Sequence, residues 1–303
     1  MKRISFLAVV LIIISLLPSC SKNYREKGTP EYLKEISSWH KNRIERLKKE
    51  NGWLNLVGLY WLKQGENKFG TNKFNDIIFP EGKAPGYIGT FNLSDSIVTV
   101  TIDPSVEVTS EGKKVTTMRL KNDTQVDPTI LQLGTLRWFI IKRGPKYGVR
   151  LRDLDSPLLK SFKDIDTYPV NSDWRLEAHL EPYNQPKKIL VPNILGMVDT
   201  SVVKNAIVFT KDGVTYKLDP IEEGNSYFVV FADMTSGKET YGAGRFLYIN
   251  KPDSTGQMII DFNKAYNPPC SFTKFATCPL PPKQNHLMME VTAGEKFSGK
   301  HEN

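Results

Sequence analysis

Short runs of alternating apolar and polar residues, each closed by Gly, Asn or Asp, follow one another through most of the chain from residue 51 onward. Examples are SIVTVTID at 96–103 and GRFLYIN at 244–250. A period of two residues is typical of strands that bury one face. An Asp-Gly pair at 212–213, between two such runs, indicates a hairpin turn. No run of ten or more residues in this part has a helical period, so the chain is predicted to be mostly β.

One helix is predicted ahead of these strands. Pro30 suits a first-turn position, and Gly52 follows the last turn, where glycine commonly ends a helix. The residues between them carry a single apolar stripe, which predicts a helix that packs against the domain behind it. This stripe consists of Leu33, Ile36, His40, Ile44 and Leu47, with His40 predicted to be a packed core histidine.

The chain has 303 residues, enough for two modest domains. Aspartates and prolines concentrate over residues 153–172, which indicates a connector, and no flexible Gly/Ser linker separates the halves. We therefore predict a β-sandwich packed on a second β-sandwich or barrel domain. The predicted divisions are a signal peptide (1–19), a tether (20–30), the helix (31–50), a β-sandwich (51–165), a C-terminal β-domain with a Pro/Cys loop (166–297) and a tail (298–303).

The N-terminus is typical of an export signal. Lys2 and Arg3 precede an apolar run of 14 residues at 4–17, which is short for a membrane span. Ser19 and Cys20 then resemble the cleavage box of a bacterial lipoprotein, in which the cysteine carries the lipid. The sequence predicts a cell-envelope protein anchored in a membrane through Cys20 and facing the periplasm or exterior. Plain secretion and an uncleaved anchor are the alternatives.

The formal charge of +8 falls to +6 when Lys2 and Arg3 leave with the signal. Much of the excess lies in KNRIERLKK at 41–49, which is expected to face anionic headgroups or water. No basic stripe is interleaved with aromatic residues, and the compartment is wrong for nucleic acid, so nucleic-acid binding is excluded.

Several phrases resemble the DUF1684 family of bacterial and archaeal proteins. They include LQLGTLRWFIIKRGPKYGVRLRDLDSP at 131–157, FADMTSGKETYGAGRFLYI at 231–249 and DFNKAYNPPCSFTKFATCPLPPKQN at 261–285. The resemblance extends over residues 40–296, and its last phrase is the most specific. It implies no activity, because the family itself has none assigned.

A local resemblance to the forkhead-associated domain, a β-sandwich that binds phosphothreonine, lies in the first half. Gly70, Asn75, Asp76 and Ile77 fit its strand-turn phrase. Thr71 stands where that family has its phosphate-binding arginine, and bidentate phosphate recognition depends on such an arginine. The resemblance therefore implies a sandwich and argues against phosphopeptide binding.

The Pro/Cys loop, YNPPCSFTKFATCPLPP at 266–282, holds Cys270, Cys278 and five prolines. In an oxidising compartment the two cysteines are expected to form a disulfide, worth roughly 2.5 kcal/mol for so short a loop. The alternatives are a metal site that includes His286 and a nucleophilic thiolate, although seven intervening residues are unusual for zinc. We predict no metal and no cofactor.

Polar side chains flank this loop in two segments that are predicted to be neighbouring strands. Such a cluster suits a bound sugar or carboxylate, or acid–base chemistry, and a buried salt-bridge network is the structural alternative. The candidates are Asp261 and Glu239 for catalysis and Arg245, Tyr241, Asn263, Tyr266 and Asn267 for ligand binding.

The predicted function is a small-molecule or envelope-component binding or accessory module, and a carboxylate-dependent hydrolase at the Pro/Cys loop is the alternative. Arg150 and Arg152 share a strand face and are expected to pair with aspartates rather than bind an anion. His179 alternates with glutamates on a face expected to be solvated. No nucleophile elbow, phosphate loop, HExxH or dinucleotide motif is present.

Overall fold

The computed structural model describes residues 24–299. The mostly-β prediction is confirmed, and two α-helices occur in this range, α1 (Pro30–Lys48) and a short α2 (Pro157–Ser161). Neither of them is long and apolar enough to cross a membrane. The predicted signal peptide and Cys20 lie outside the described residues, as do most of the predicted tail's positions.

The first eleven strands form two mostly antiparallel sheets that enclose one core. One sheet has the order β1-β11-β10-β9-β6-β7 and the other β3-β2-β4-β5-β8. The strands are β1 (Leu56–Trp61), β2 (Gly65–Gly70), β3 (Ile77–Ile78), β4 (Gly89–Ser94), β5 (Ile97–Ile102), β6 (Thr109–Ser110), β7 (Lys113–Lys114), β8 (Thr117–Leu120), β9 (Leu131–Leu133), β10 (Leu136–Arg143) and β11 (Lys146–Asp153).

Aromatic rings fill this first sandwich. Phe69 of the second sheet stacks on Phe91 with ring centroids 4.2 Å apart and meets Trp138 of the first sheet edge-on at 6.0 Å. All three side chains are buried, as alternation along the strands predicts for one inward face. The two-sheet sandwich agrees with the predicted architecture, while its likeness to the forkhead-associated domain stays a prediction.

The remaining strands form a second pair of sheets. Their orders are β14-β13-β12-β18 and β15-β16-β17, and a common core that includes Phe209, Phe231 and Phe262 lies between them. The strands are β12 (Arg175–Pro192), β13 (Val198–Lys211), β14 (Val214–Leu218), β15 (Ile221–Glu223), β16 (Ser226–Phe231), β17 (Arg245–Asn250) and β18 (Met258–Asp261).

Helix α1 begins at Pro30, one residue before the predicted range of 31–50, and ends at Lys48. The side chain of Thr29 accepts a hydrogen bond from the Tyr32 backbone N–H at 3.3 Å, and Pro30 occupies the first turn. Ile36 and Leu47 of the predicted stripe are buried. His40 differs from the prediction of a core histidine, because its Nε2 lies 2.9 Å from the exposed carboxylate of Asp164. That carboxylate offers the ring a polar partner at the protein surface.

The described part of the predicted tether lies against the second domain. The backbone N–H of Lys27 donates to the Val170 carbonyl at 2.8 Å, and the Ser172 N–H donates back to the Lys27 carbonyl at 2.8 Å. The Tyr24 ring meets Tyr168 edge-on with centroids 5.1 Å apart. Residues 24–29 thus fix the start of α1 on the second sandwich.

The Pro/Cys loop fills the space between the two sandwiches. On one side the Thr277 hydroxyl accepts hydrogen bonds from Arg143 at 3.2 Å and Arg150 at 3.3 Å, both from the first domain. On the other side the Leu280 N–H donates to the Pro192 carbonyl at 2.7 Å. The loop therefore contacts both domains, and its prolines restrict the unfolded chain at the joint.

The close approach of this loop to β17 depends on Gly244. A Cβ at this position would lie 2.5 Å from both the Phe231 carbonyl oxygen and Pro281 Cγ, at a φ of +84°. We expect Gly244→Ala to lower the free energy of unfolding by about 1–3 kcal/mol more than Gly256→Ala does. Gly256 is the matched control, because it has a φ of +82° with nothing within 4 Å of its Cβ position. Urea unfolding of both variants measures the difference, and equal losses would contradict the close contact.

Candidate ligand-binding pocket

A cavity of about 500 Å³ lies between α1, the outer face of the β15–β17 sheet and the start of the Pro/Cys loop. We call it the aromatic pocket, because six of its ten lining residues are aromatic and three of the others are cationic. None of the ten carries a carboxylate. The lining consists of Trp39, Arg43, Arg46, Trp53, Phe228, Phe246, Tyr248, Lys264, Tyr266 and Pro269.

Strand pairing creates the aromatic wall. Phe246 and Tyr248 are two residues apart on β17, hence on one face, and Phe228 of β16 pairs directly with Tyr248. The Phe228 and Tyr248 rings lie 5.0 Å apart, and Tyr266 lies parallel to Tyr248 at 6.4 Å. Tyr248 is 49% exposed, so the wall presents ring surface to an incoming molecule.

Arg43 of α1 forms the inner end of the pocket. Its guanidinium lies 4.6 Å from the Tyr266 ring centroid and donates to the Asn267 carbonyl at 2.8 Å. Its Nε donates to Glu295 Oε1 at 3.2 Å, and the Asn267 N–H donates to the other Glu295 oxygen at 2.7 Å. Glu295 is fully buried, and this desolvation raises the pKa of its carboxyl, while Arg43 opposes the rise. The buried charges of Arg43 and Glu295 are thus paired with each other.

The other two cations of the pocket, Lys264 and Arg46, differ in whether they are paired with a carboxylate. Lys264 Nζ lies 2.6 Å from Glu35 Oε1 and 3.9 Å from Asp261 Oδ2. The Arg46 side chain is exposed and forms no hydrogen bond or ion pair with another side chain or backbone group in the range 24–299. Its guanidinium therefore contributes an uncompensated positive charge at the rim of the aromatic pocket.

Of the predicted site residues, Tyr266 lines this pocket and Asn267 lies directly behind it, held by Glu295 and Arg43. Asp261 and Asn263 lie close together, as their separation of two positions on one segment predicts. Asp261 Oδ1 accepts hydrogen bonds from the Tyr32 hydroxyl at 2.9 Å and from Asn263 at 3.1 Å. Burial and the Asp261 charge raise the pKa of Tyr32. This group fastens α1 to β18.

Arg245 is buried inside the second domain. The prediction that it binds a ligand requires an exposed side chain, and the structure does not provide one. Arg245 is 0% exposed and donates to Asp233 Oδ2 at 2.9 Å and to the Val291 carbonyl at 2.9 Å. A second nitrogen donates to the Ala293 carbonyl. Because side chains alternate along β17, Arg245 and Phe246 lie on opposite faces of the sheet. The face of Arg245 is the one that points into the domain interior.

Glu239 and Tyr241 lie away from the aromatic pocket. The Glu239 carboxylate accepts a hydrogen bond from the Tyr24 hydroxyl at 3.1 Å and lies 3.9 Å from Lys296 Nζ. The Tyr241 hydroxyl donates to the Cys270 carbonyl at 3.2 Å and lines a second cavity. The predicted cluster is thus divided among several environments.

The cysteines of the Pro/Cys loop are free thiols in the structure, so the predicted disulfide is not found. The Cys270 N–H donates to Cys278 Sγ at 3.0 Å, which places the second sulfur over the backbone of the first residue. No group of three or more metal-ligating side chains occurs within residues 24–299.

The part of the pocket that α1 supplies was not predicted from the sequence. Trp39, Arg43 and Arg46 are spaced by four and three residues and hence form a stripe of their own beside the predicted apolar stripe. This spacing is a signal that could have been found. KNRIERLKK was predicted to face headgroups or water, yet Arg43 is buried. Glu295, its partner, gave no local signal.

Comparison with known proteins agrees with the resemblance noted in the sequence. The model of the family described as "Protein of unknown function (DUF1684)" matches residues 160–296. The solution NMR structure of an uncharacterized protein from Haloarcula marismortui is 29% identical, covering 48% of this chain and 83% of that chain, with a TM-score of 0.39. No curated protein matches the chain. The resemblance over residues 40–159 stays a prediction.

The burial of Arg245 generates a test of its structural role. We expect Arg245→Met to lower the free energy of unfolding by about 3–5 kcal/mol, because Asp233 and the backbone carbonyl groups around it lose their buried cation. Arg119→Met, on the exposed face of β8, is the control and should change stability by less than ~0.5 kcal/mol. Urea unfolding compares the two, and a stable Arg245→Met protein would contradict this interpretation.

Proposed function

We propose that this chain, whose residues 160–296 belong to the DUF1684 family, is a binding module that holds a small anionic molecule in the aromatic pocket. The observation that carries the proposal is the lining of that pocket, in which six aromatic rings and three cations occur without a carboxylate. The volume of about 500 Å³ lies within the usual range for a small-molecule site.

The aromatic residues favour a ligand with a flat, weakly polar body. Ring faces bury large apolar area and stack on planar groups or on the faces of sugar rings. Tyr248 and Tyr266 lie within 9° of parallel, and Trp39 lies 6.4 Å from Tyr266. A planar molecule entering from the exposed edge of Tyr248 therefore meets ring faces along its path.

The cations favour a negative charge on that ligand. Arg43 is already paired with Glu295, and Lys264 with Glu35, whereas Arg46 is uncommitted at the rim. A guanidinium can hold a carboxylate or phosphate through two parallel hydrogen bonds. Because Arg43 and Lys264 are already paired with carboxylates outside the lining, the favourable field at the anionic end of a ligand comes mainly from Arg46.

We further propose that the protein works in the cell envelope, tethered to a membrane by a lipid on Cys20. This rests on the basic and apolar N-terminal sequence that ends in Ser19 and Cys20. The ligand would accordingly be an envelope component or a solute of that compartment. Because residues 24–29 lie against the second domain, the predicted tether leaves a short span between the lipid and the folded part.

The hydrolase alternative stays a hypothesis with no specific observation in its favour. Asp261 Oδ1 already accepts hydrogen bonds from Tyr32 and Asn263, and Glu239 is engaged by Tyr24. Neither carboxylate lines the aromatic pocket. The geometry of the pocket therefore supports binding better than carboxylate catalysis.

A pair of fluorescent probes with the same rings tests the anion preference. We expect 8-anilinonaphthalene-1-sulfonate to bind more tightly than its neutral analogue N-phenyl-1-naphthylamine. Arg46→Ala and Lys264→Gln should each weaken sulfonate binding about fivefold to tenfold, or ~1–1.4 kcal/mol, and leave the neutral probe unaffected. Tyr248→Ala should weaken both probes, because it removes ring surface.

Arg119→Ala is the matched control for the charge effect, since Arg119 is exposed on the first domain. Fluorescence titration at fixed ionic strength gives the dissociation constants. Equal affinity for the two probes, or an equal loss in the Arg119 control, would show that no specific anion site exists in the pocket.

The membrane tether has its own test. Expressed from its full-length gene, the wild-type protein should partition into the detergent phase of Triton X-114 and have a mass that corresponds to a lipid-modified chain beginning at Cys20. Cys20→Ala should move it to the aqueous phase, because the acyl chains are lost. An unchanged distribution of the variant would exclude lipid anchoring through Cys20.

A further inference from the structure

We propose that Cys270 and Cys278 form a dithiol site that reduces a low-molecular-weight disulfide entering the cavity beside Cys270. This second cavity, which we call the thiol cavity, has a volume of about 320 Å³ and is distinct from the aromatic pocket. The inference is independent of the proposed binding function.

The two sulfurs are held close together by the loop. The backbone N–H of Cys270 donates to Cys278 Sγ at 3.0 Å, and Pro269 and the short 3₁₀ turn at Pro269–Ser271 fix that N–H. Both cysteines pack in one apolar cluster with Phe246 and Ala276. A sulfur bound to Cys270 would therefore form within reach of Cys278, as two-step thiol–disulfide exchange requires.

The two cysteines differ in access. Cys270 is partly exposed and lines the thiol cavity, whereas Cys278 is 4% exposed and does not line it. An incoming disulfide therefore meets Cys270 first. This division assigns Cys270 as the attacking thiol and Cys278 as the thiol that resolves the mixed disulfide.

The electrostatics agree with this order. The hydrogen bond from Cys278 lowers the pKa of the Cys270 thiol, and Tyr241 adds to the effect. The same contact and burial raise the pKa of Cys278. Of the two thiols, Cys270 is therefore the one that loses its proton first, and the thiolate is the nucleophile in thiol–disulfide exchange.

Arg150 supplies a cation behind the pair. Its side chain is buried, and its Nε has no hydrogen-bond partner among residues 24–299. Its terminal nitrogen donates to the Thr277 hydroxyl at 3.3 Å, next to Cys278. Burial lowers the pKa of Arg150 to about 10, so it stays cationic at neutral pH and favours a thiolate on Cys278. The positive charge of Arg150 therefore acts when Cys278 becomes the nucleophile, which is the second step of the exchange.

The proposed reaction is a two-step thiol–disulfide exchange. The Cys270 thiolate attacks one sulfur of the substrate R–S–S–R, forming a Cys270–S–S–R bond and releasing RS⁻. Cys278 then loses its proton to solvent and attacks Cys270 Sγ, which forms the Cys270–Cys278 disulfide and releases the second RS⁻. Two electrons pass from the dithiol to the substrate. A thiol reductant must restore the dithiol before another turnover.

The lining of the thiol cavity limits the substrate to a small molecule. Its walls carry apolar groups of Ile194, Leu195 and Phe272, together with the cation of Lys274. A volume of about 320 Å³ has no room for a folded protein. A disulfide with compact apolar and anionic substituents fits these walls, and 5,5′-dithiobis(2-nitrobenzoate) has that chemistry and a coloured leaving group.

The test counts leaving groups released from that probe. All proteins are full-length and carry Cys20→Ser, so that the loop supplies their two thiols. After reduction and desalting, the parent protein should release two coloured thiolates per chain and keep no adduct. Cys278→Ser should release one and retain an adduct on Cys270, seen by mass spectrometry. Cys270→Ser should react about 100-fold more slowly, because its remaining thiol is buried.

Two further variants separate the steps from a merely structural effect. Tyr241→Phe should slow the first release and leave the second unchanged, whereas Arg150→Met should slow the second alone. Circular dichroism confirms that each variant is folded.

Resistance of the oxidised protein to excess dithiothreitol without denaturant would identify a structural disulfide and overturn the proposal. A persistent adduct on the parent protein, or equal rates for both single-serine variants, would also overturn it.

Discussion

The buried pair of Arg43 and Glu295 joins the first helix to the last segment of the described residues, and the aromatic pocket depends on it. Arg43 belongs to the first helix and Glu295 to the last described segment, yet the two side chains meet at 3.2 Å with almost no exposure. Between them they hold the backbone of Asn267 at its N–H and its carbonyl. Because Tyr266 is the preceding residue, its ring is fixed over the Arg43 guanidinium, and the inner end of the pocket follows.

A second buried arginine secures the same segment from the opposite side. Arg245 donates to the carbonyls of Val291 and Ala293 and pairs with Asp233. Buried ion pairs add little net stability compared with apolar packing, since desolvation offsets their attraction. Their effect here is positional, because each guanidinium satisfies several carbonyl groups that only one path of the chain can bring together. The irregular C-terminal segment thereby obtains a fixed course without regular secondary structure.

Local pattern was sufficient for the strands, the helix and the two-sandwich architecture, since period and turn residues are properties of neighbouring positions. It also pointed to Tyr266, which lines the pocket. It failed for Arg245, because alternation shows which residues share a face and not which face is interior. It could not find the pairing of Arg43 with Glu295, whose separation of 252 residues leaves no trace in any window. Likewise, α2 was missed because its five residues are too few to show a period.

The Pro/Cys loop explains why two cavities lie so near each other. Pro269 lines the aromatic pocket, and the next residue, Cys270, lines the thiol cavity. Pro268 caps a tight 3₁₀ turn of three residues that begins with Pro269, so the loop has little freedom to absorb a change at either side. A new bond on the Cys270 sulfur therefore forms one residue away from Pro269 in the wall of the aromatic pocket. By linkage, two free energies must then be equal. One is the change that the Cys270 bond makes in the affinity of a ligand in the aromatic pocket, and the other is the change that the ligand makes in the thiol–disulfide equilibrium of Cys270.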